Sequence, residues 1–431
     1  MLEDFTVRHH VIALTALCLL WSSAEAGEYK YPYRDPYLAT VTTAILNADG
    51  LNPGLKREVV HVPVLPDRNQ LPTLEGRGEL SVALYRQSHA APLMFILSGI
   101  GSSPYFGAAT YFARLFHDKG YHVVILPSPM SWNFGLAASR SGVPGNVPED
   151  ARDLYGAMEK TLRVLKGRYG VGITGIDFMG VSLGALEGAY LSVLDAKERK
   201  IGIDKYLLAN PPPDLTYALK KLDDMDALQN TFGRSKSEAI MAKALAIVEP
   251  FTEDRQYGPA VFDKLVKKFS VFTTEEIQFL IAEYLQTVLP ELVYVTEVIQ
   301  EPQLREATKA QARRRIRDAK HVTFMEYSEK IGVPTWRVEA GEPKADLETF
   351  TTRGSLAPIL AQLRDNPRVY IVHNVDDFLA DPKSIEELKE VMGDRMMLYP
   401  FGGHLGNLWY PETTNYVLGL FRAARSPLSA R

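Results

Sequence analysis

The sequence predicts an α/β protein, a doubly wound and mostly parallel sheet interrupted by an all-helical cap. Three observations lead there. Short, unbroken apolar runs such as Leu93-Met94-Phe95-Ile96-Leu97 alternate with amphipathic helical stretches, as strands buried on both faces do. That rhythm stops between 214 and 363, where helical spacing continues with almost no buried strand, and it returns at Val369. At 180–184 a serine stands between two glycines, after a strand-like run and before a stretch of small residues and good helix formers. Such a connection is a sharp strand–turn–helix in which side chains at the flanking positions would clash.

The organisation follows in chain order. Residues 1–26 read as a signal peptide, 27–76 as an N-terminal wrapping segment, 77–213 as the first part of the core, 214–363 as the helical cap and 364–431 as the second part of the core. Strands are expected at 80–85, 93–97, 123–126, 176–179 and 206–209, then at 369–372 and 396–399. Helices are expected at 105–119, 149–166, 382–392 and 411–422, the second with acids in its first turn and bases in its last. Within the cap, Ile277, Leu280, Ile281, Tyr284, Leu285 and Val288 form a stripe on 273–288, and Thr273 with Glu276 resembles a capping box. The stripe reads as a core-facing helix, with a lipid-facing lid, and so membrane-surface contact through the cap, as the alternative.

Composition narrows the function. A formal charge of −4 gives no argument for nucleic acid as a partner. The run from Val11 to Trp21 is too short to span a bilayer, and Ala24-Glu25-Ala26 fits the small-x-small cleavage rule. Gly27 is then the first mature residue, and the protein is expected to be periplasmic or secreted, with retention of the segment as an anchor the alternative. Cleavage removes Cys18, the only cysteine, so the mature chain can form no disulfide. No metal-ligand spacing, phosphate-cradling glycine loop or cofactor fingerprint is present, and neither a cofactor nor a metal is expected.

A serine hydroxyl needs a base within hydrogen-bond reach to become a nucleophile, and the base needs a carboxylate to fix its tautomer. In a doubly wound sheet the strand C-terminal ends converge on one rim. Ser182, Asp376 and His404 each follow a different expected strand, in the chain order serine, acid, histidine. In this order and setting the chain resembles the α/β-hydrolase superfamily over about 77–213 and 364–425, with a helical cap inserted after the strand that follows the nucleophile helix. The resemblance implies Ser182 as nucleophile and His404 as base. The family's acid is commonly followed by any residue and then two apolar ones, a frame that Asp376-Asp377-Phe378-Leu379 fits with Asp376 as the acid and Asp377 as the alternative.

The resemblance further implies an oxyanion hole built from the backbone N–H of Leu183 and a second N–H from the loop Ser98-Gly99-Ile100-Gly101, by position that of Ile100. Many relatives have a histidine where this chain has Ser98. The activity implied is a serine hydrolase cleaving a small or lipid-like carboxylic ester through an acyl-enzyme. An acyltransferase or an amide or thioester hydrolase would use the same triad, and a non-catalytic secreted binding protein could share the fold. His373 precedes the strand end and is expected to face the core; His117, His122 and His321 have no such placement. Tyr105 reads as packing at a helix start. Arg313, Arg314, Arg315 and Arg317, with acids nearby, read as a solvated cap helix.

Overall fold

Eight strands form one sheet in the order β1-β2-β4-β3-β5-β6-β7-β8. They are β1 Glu58–Val62, β2 Leu80–Tyr85, β3 Ala91–Leu97, β4 His122–Leu126, β5 Ile173–Val181, β6 Lys205–Ala209, β7 Val369–Asn374 and β8 Met396–Tyr399. Strand β2 pairs antiparallel with both β1 and β4, and every other pairing is parallel, so β2 alone runs against the rest. The computed structural model describes residues 29–46, 55–70, 77–253, 259–301, 304 and 308–421. The apolar segment 11–26, its expected cleavage site and Arg422 lie outside them. No helix among the described residues is long and apolar enough to cross a membrane.

The strands lie where the apolar runs predict. β2 and β8 match their expected bounds, and β3 and β4 start one or two residues early. The central strands are buried on both faces because helices cover both sides, which is why their sequences do not alternate. Val147–Gly167 and Leu183–Glu198 pack against each other. Ala108–Asp118 lies against β4.

Between β6 and β7 the described residues hold helices and no strand. Thr273 caps Thr274–Gln286 with Glu276 reaching back, as the capping box predicts. The apolar stripe turns inward: Ile277 is buried, Leu280 is half-buried, and Ile281, Leu285 and Val288 pack against the main core cluster. Tyr284 is exposed. The arginine-bearing helix Lys309–Asp318 is a solvated one, with Arg315 paired to Glu297 at 2.8 Å. Leu360–Asp365 leaves this block and packs against Leu183–Glu198 and Pro382–Met392 beside the sheet. By contacts, the described residues from Tyr33 onward form one compact unit, cap included.

The N-terminal region contains elements that the sequence reading passed over. Pro36–Val41 is a helix whose N-cap Asp35 accepts from the N–H groups of Tyr37 and Leu38, both at 2.9 Å. Asp-Pro is the signature of a cap followed by proline at the first helical position. β1 carries the period-two pattern of Val60 and Val62 inward with His61 outward. Another short helix, Trp132–Ala137, occupies a stretch expected to be loop.

Candidate active site

Ser182, Asn210, Asp377 and His404 follow β5, β6, β7 and β8, which are neighbours in the sheet, so the topology alone lines them up along one rim. Ser182 adopts φ 55° and ψ −122°, a conformation rare for a residue with a side chain. It is held by its N–H bond to the carbonyl of Ala209 at 2.8 Å and by its own carbonyl, which accepts the first helical N–H groups, those of Ala185 and Leu186. The flanking glycines have the steric role expected of them. A Cβ at position 180 would lie 2.2 Å from the carbonyl oxygen of Gly184, and one at 184 would lie 2.4 Å from that of Leu97.

His404 Nε2 stands 2.8 Å from Ser182 Oγ. Its Nδ1 faces the carboxylate of Asp377, 2.9 Å from Oδ2 and 3.1 Å from Oδ1. A carboxylate only accepts, so Nδ1 carries the proton and Nε2 is free to take the one on Ser182. Asp377 is buried, which by itself would raise its pKa. The contacts around it, led by the His404 ring and including the Asn210 amide, together outweigh that effect and hold the carboxyl below its ordinary value.

The expectation of Asp376 as the carboxylate partner is therefore corrected to Asp377. Asp376 turns away and accepts the N–H of Gly403 at 2.8 Å through Oδ1. Burial raises its pKa, whereas Asp377 is depressed. The physical reason is the turn after β7. Asp377 Oδ1 accepts the N–H of Leu379 at 3.0 Å, and the Asp377 N–H meets the carbonyl of Asn374 at 3.3 Å, fixing the carboxylate toward β8. The sequence frame was ambiguous by one residue, since Asp377-Phe378-Leu379-Ala380 also reads acid, any residue, two apolar residues.

The other expected positions divide. Leu183 is the first residue of Leu183–Glu198, where backbone N–H groups lack intrahelical partners. Ile100 lies in the loop after β3, and this loop runs close against Ser182: a Cβ on Gly99 would lie 2.9 Å from Ser182 Cβ. His373 is buried and accepts the N–H of Asn374 at Nδ1, so its proton sits on Nε2, 3.1 Å from the carbonyl of Pro211. It is 4.0 Å from Asp377, but burial lowers its pKa, and a neutral ring at that distance makes no ion pair. At the opposite rim His122 accepts the N–H of Gln87 at Nδ1 and donates from Nε2 to the carbonyl of Gly172, both at 3.0 Å. A groove of about 780 Å³ opens there among Arg86, His89, His117 and His122, at the N-terminal ends of the strands and away from Ser182.

Two supports of His404 were not read from the sequence. Its backbone N–H donates to Thr40 Oγ1 at 2.8 Å, so the helix Pro36–Val41 holds the histidine loop. Asn374 and Asn407 exchange amide hydrogen bonds of 3.0 and 2.7 Å beneath that loop. The cap reaches the site on both sides. Tyr284 donates its hydroxyl to the carbonyl of Gly101 at 2.8 Å, and Phe262 stacks on Trp409 with ring centroids 3.8 Å apart.

One ionisable neighbour does not belong to this constellation. Glu187, one turn along the helix Leu183–Glu198, is buried, and neither carboxyl oxygen has a hydrogen-bond partner among the described residues. Burial, then the charges of Asp150 and Asp153, raise its pKa well above the ordinary value. Folding therefore takes up a proton, and stability falls as pH rises above the range where the unfolded carboxyl titrates. Glu187→Gln is expected to raise the melting temperature at pH 8 and to change it little at pH 5, as read by differential scanning calorimetry. An equal effect at both pH values would contradict this.

No family model matches the chain, and no curated protein matches it. Solved structures similar to it include an esterase of Pyrococcus furiosus, at 12% identity over 85% of this chain and 89% of that one, with a TM-score of 0.40. A proline iminopeptidase of Mycobacterium smegmatis is 16% identical over 84% of this chain and 97% of its own, with a TM-score of 0.41. A hyperthermophilic esterase of Pyrobaculum calidifontis is 13% identical over 89% of each chain, also at 0.41.

Proposed function

We propose that this chain, an α/β-hydrolase by fold, is an exported serine hydrolase that cleaves a carboxylic ester. The observation that supports this reading most strongly is the continuous hydrogen-bonded series Ser182–His404–Asp377, set at three strand ends with the serine on a strained turn. In the proposed mechanism Ser182 Oγ attacks the acyl carbon while its proton passes to His404 Nε2. Asp377 holds the ring in place and stabilises the imidazolium. The Leu183 and Ile100 N–H groups hold the oxyanion. His404 returns the proton to the departing alcohol, and water, activated by the same ring, releases the acid. The apolar run and small-residue site within 11–26 support export.

The packing of Ile281, Leu285 and Val288 against the same core cluster that contains Leu183, and on which Ile100 also packs, supports a closed, apolar acyl pocket. A panel of p-nitrophenyl esters of graded acyl length is therefore expected to give the highest kcat/KM at acetate to butyrate, falling toward palmitate. A maximum at long chains, with a jump in rate at the substrate's micellar concentration, would contradict the closed pocket. Product analysis with added alcohols distinguishes water from another acyl acceptor, and hydrolysis is the outcome expected.

A further inference from the structure

Asn210 is placed where no triad member needs to be. It follows β6 directly, the strand between those that deliver the nucleophile and the acid. Its backbone N–H donates to the carbonyl of Val372 at 2.8 Å, and the preceding carbonyl, that of Ala209, takes the N–H of Ser182. At φ 48° it is left-handed, a conformation that asparagine tolerates better than most residues. That conformation coincides with an amide group whose Nδ2 donates to Asp377 Oδ2 at 2.9 Å. The assignment of nitrogen and oxygen is fixed by chemistry, since a carboxylate accepts only.

Its use of hydrogen bonds differs from that of the buried amides nearby. Asn374 and Asn407 satisfy each other at both ends. Asn210 is fully buried, and its Oδ1 has no partner among the described residues, so its side chain is committed to the Asp377 contact. With the Leu379 N–H on Oδ1 and His404 Nδ1 across both oxygens, that contact completes the donor set around the acid. The other titratable groups facing it are His373, neutral by its hydrogen bonds, and Asp376, turned to Gly403.

We propose that Asn210 is a positioning residue of this site: it fixes the rotamer of Asp377 and disperses its negative charge, tying the acid to the strand end beside the nucleophile. The proposal rests on the serine-hydrolase reading. A carboxylate with that donor removed is more basic and stabilises positive charge on the ring beside it more strongly. Its freed rotamer also lowers the fraction of productive geometry.

The test is Asn210→Gly, which permits the left-handed backbone and removes the side chain that carries the amide. Active sites are first counted by labelling to completion with a fluorophosphonate, so that rates refer to folded sites. The expected result is a kcat lower by on the order of tenfold. KM should stay unchanged, and the acid limb of the kcat/KM pH profile should move up by about one unit. A profile and kcat identical to those of the native protein would overturn the proposal. So would a loss of labelled sites or a rise in KM with the acid limb unmoved, since either describes a purely structural amide. If the native protein neither hydrolyses esters nor takes up the label, it is the serine-hydrolase reading that fails, and this is read before any variant is made.

Discussion

Replacing Ser182 with alanine is expected to lower the rate of ester hydrolysis by about 10⁶-fold, leaving only what an oxyanion hole and binding supply. The fold should tolerate the change. The turn at 182 is imposed by the Gly180–Gly184 contact and by the N–H bond to Ala209, neither of which involves the hydroxyl. Alanine keeps the Cβ that meets Gly99 and removes one oxygen, whose partner His404 Nε2 is left free. The melting temperature should therefore change little while kcat collapses. Steady-state kinetics beside calorimetry separates the two effects, and retained hydrolysis in a folded variant would contradict the assignment.

Asp377→Asn is expected to cost about 10⁴-fold in kcat. Both oxygens at 377 are already required as acceptors, by Leu379 N–H, Asn210 Nδ2 and His404 Nδ1. An amide offers one acceptor and one donor group, so it must leave one of these donors unmet or point its NH₂ at the imidazole. The latter inverts the ring tautomer and puts a proton on Nε2, where the serine proton should go. Asp376→Asn is expected to remain near native activity, because an amide oxygen can still accept the Gly403 N–H. The pair of variants thus tests the choice of carboxylate directly. Equal losses in both, or a larger loss at 376, would contradict it.

The legible part of this molecule was the part whose physics is local. Unbroken apolar runs marked the parallel strands because those strands are buried on both faces, and the glycines around Ser182 announced a turn that tolerates no side chain. Thr273 and Glu276 marked a helix start that the structure places at the same residue. What escaped depended on pairing between distant segments. Asp376 and Asp377 are chemically alike and adjacent, and only the turn geometry after β7 decides which one faces β8.

Thr40 and Asn210 escaped for the same reason. A threonine in a proline- and tyrosine-rich stretch gives no local sign that it will receive the N–H of a residue 364 positions later. Asn210 begins Asn210-Pro211-Pro212-Pro213, which reads as the stop after a strand, and its amide acquires meaning only once β6 is known to lie between β5 and β7. The helix Pro36–Val41, by contrast, carries a local signal in Asp35-Pro36, a cap followed by proline at the first helical position.

The central claim is that Ser182 is a nucleophile, and it can be measured as a covalent adduct. The native protein is treated with a fluorophosphonate, digested, and the modified residue located by tandem mass spectrometry. The expected result is one phosphonyl group per chain on Ser182, absent from the Ser182→Ala variant and formed far more slowly in His404→Ala. A folded native protein that takes up no label, or takes it up on another residue, would contradict the account.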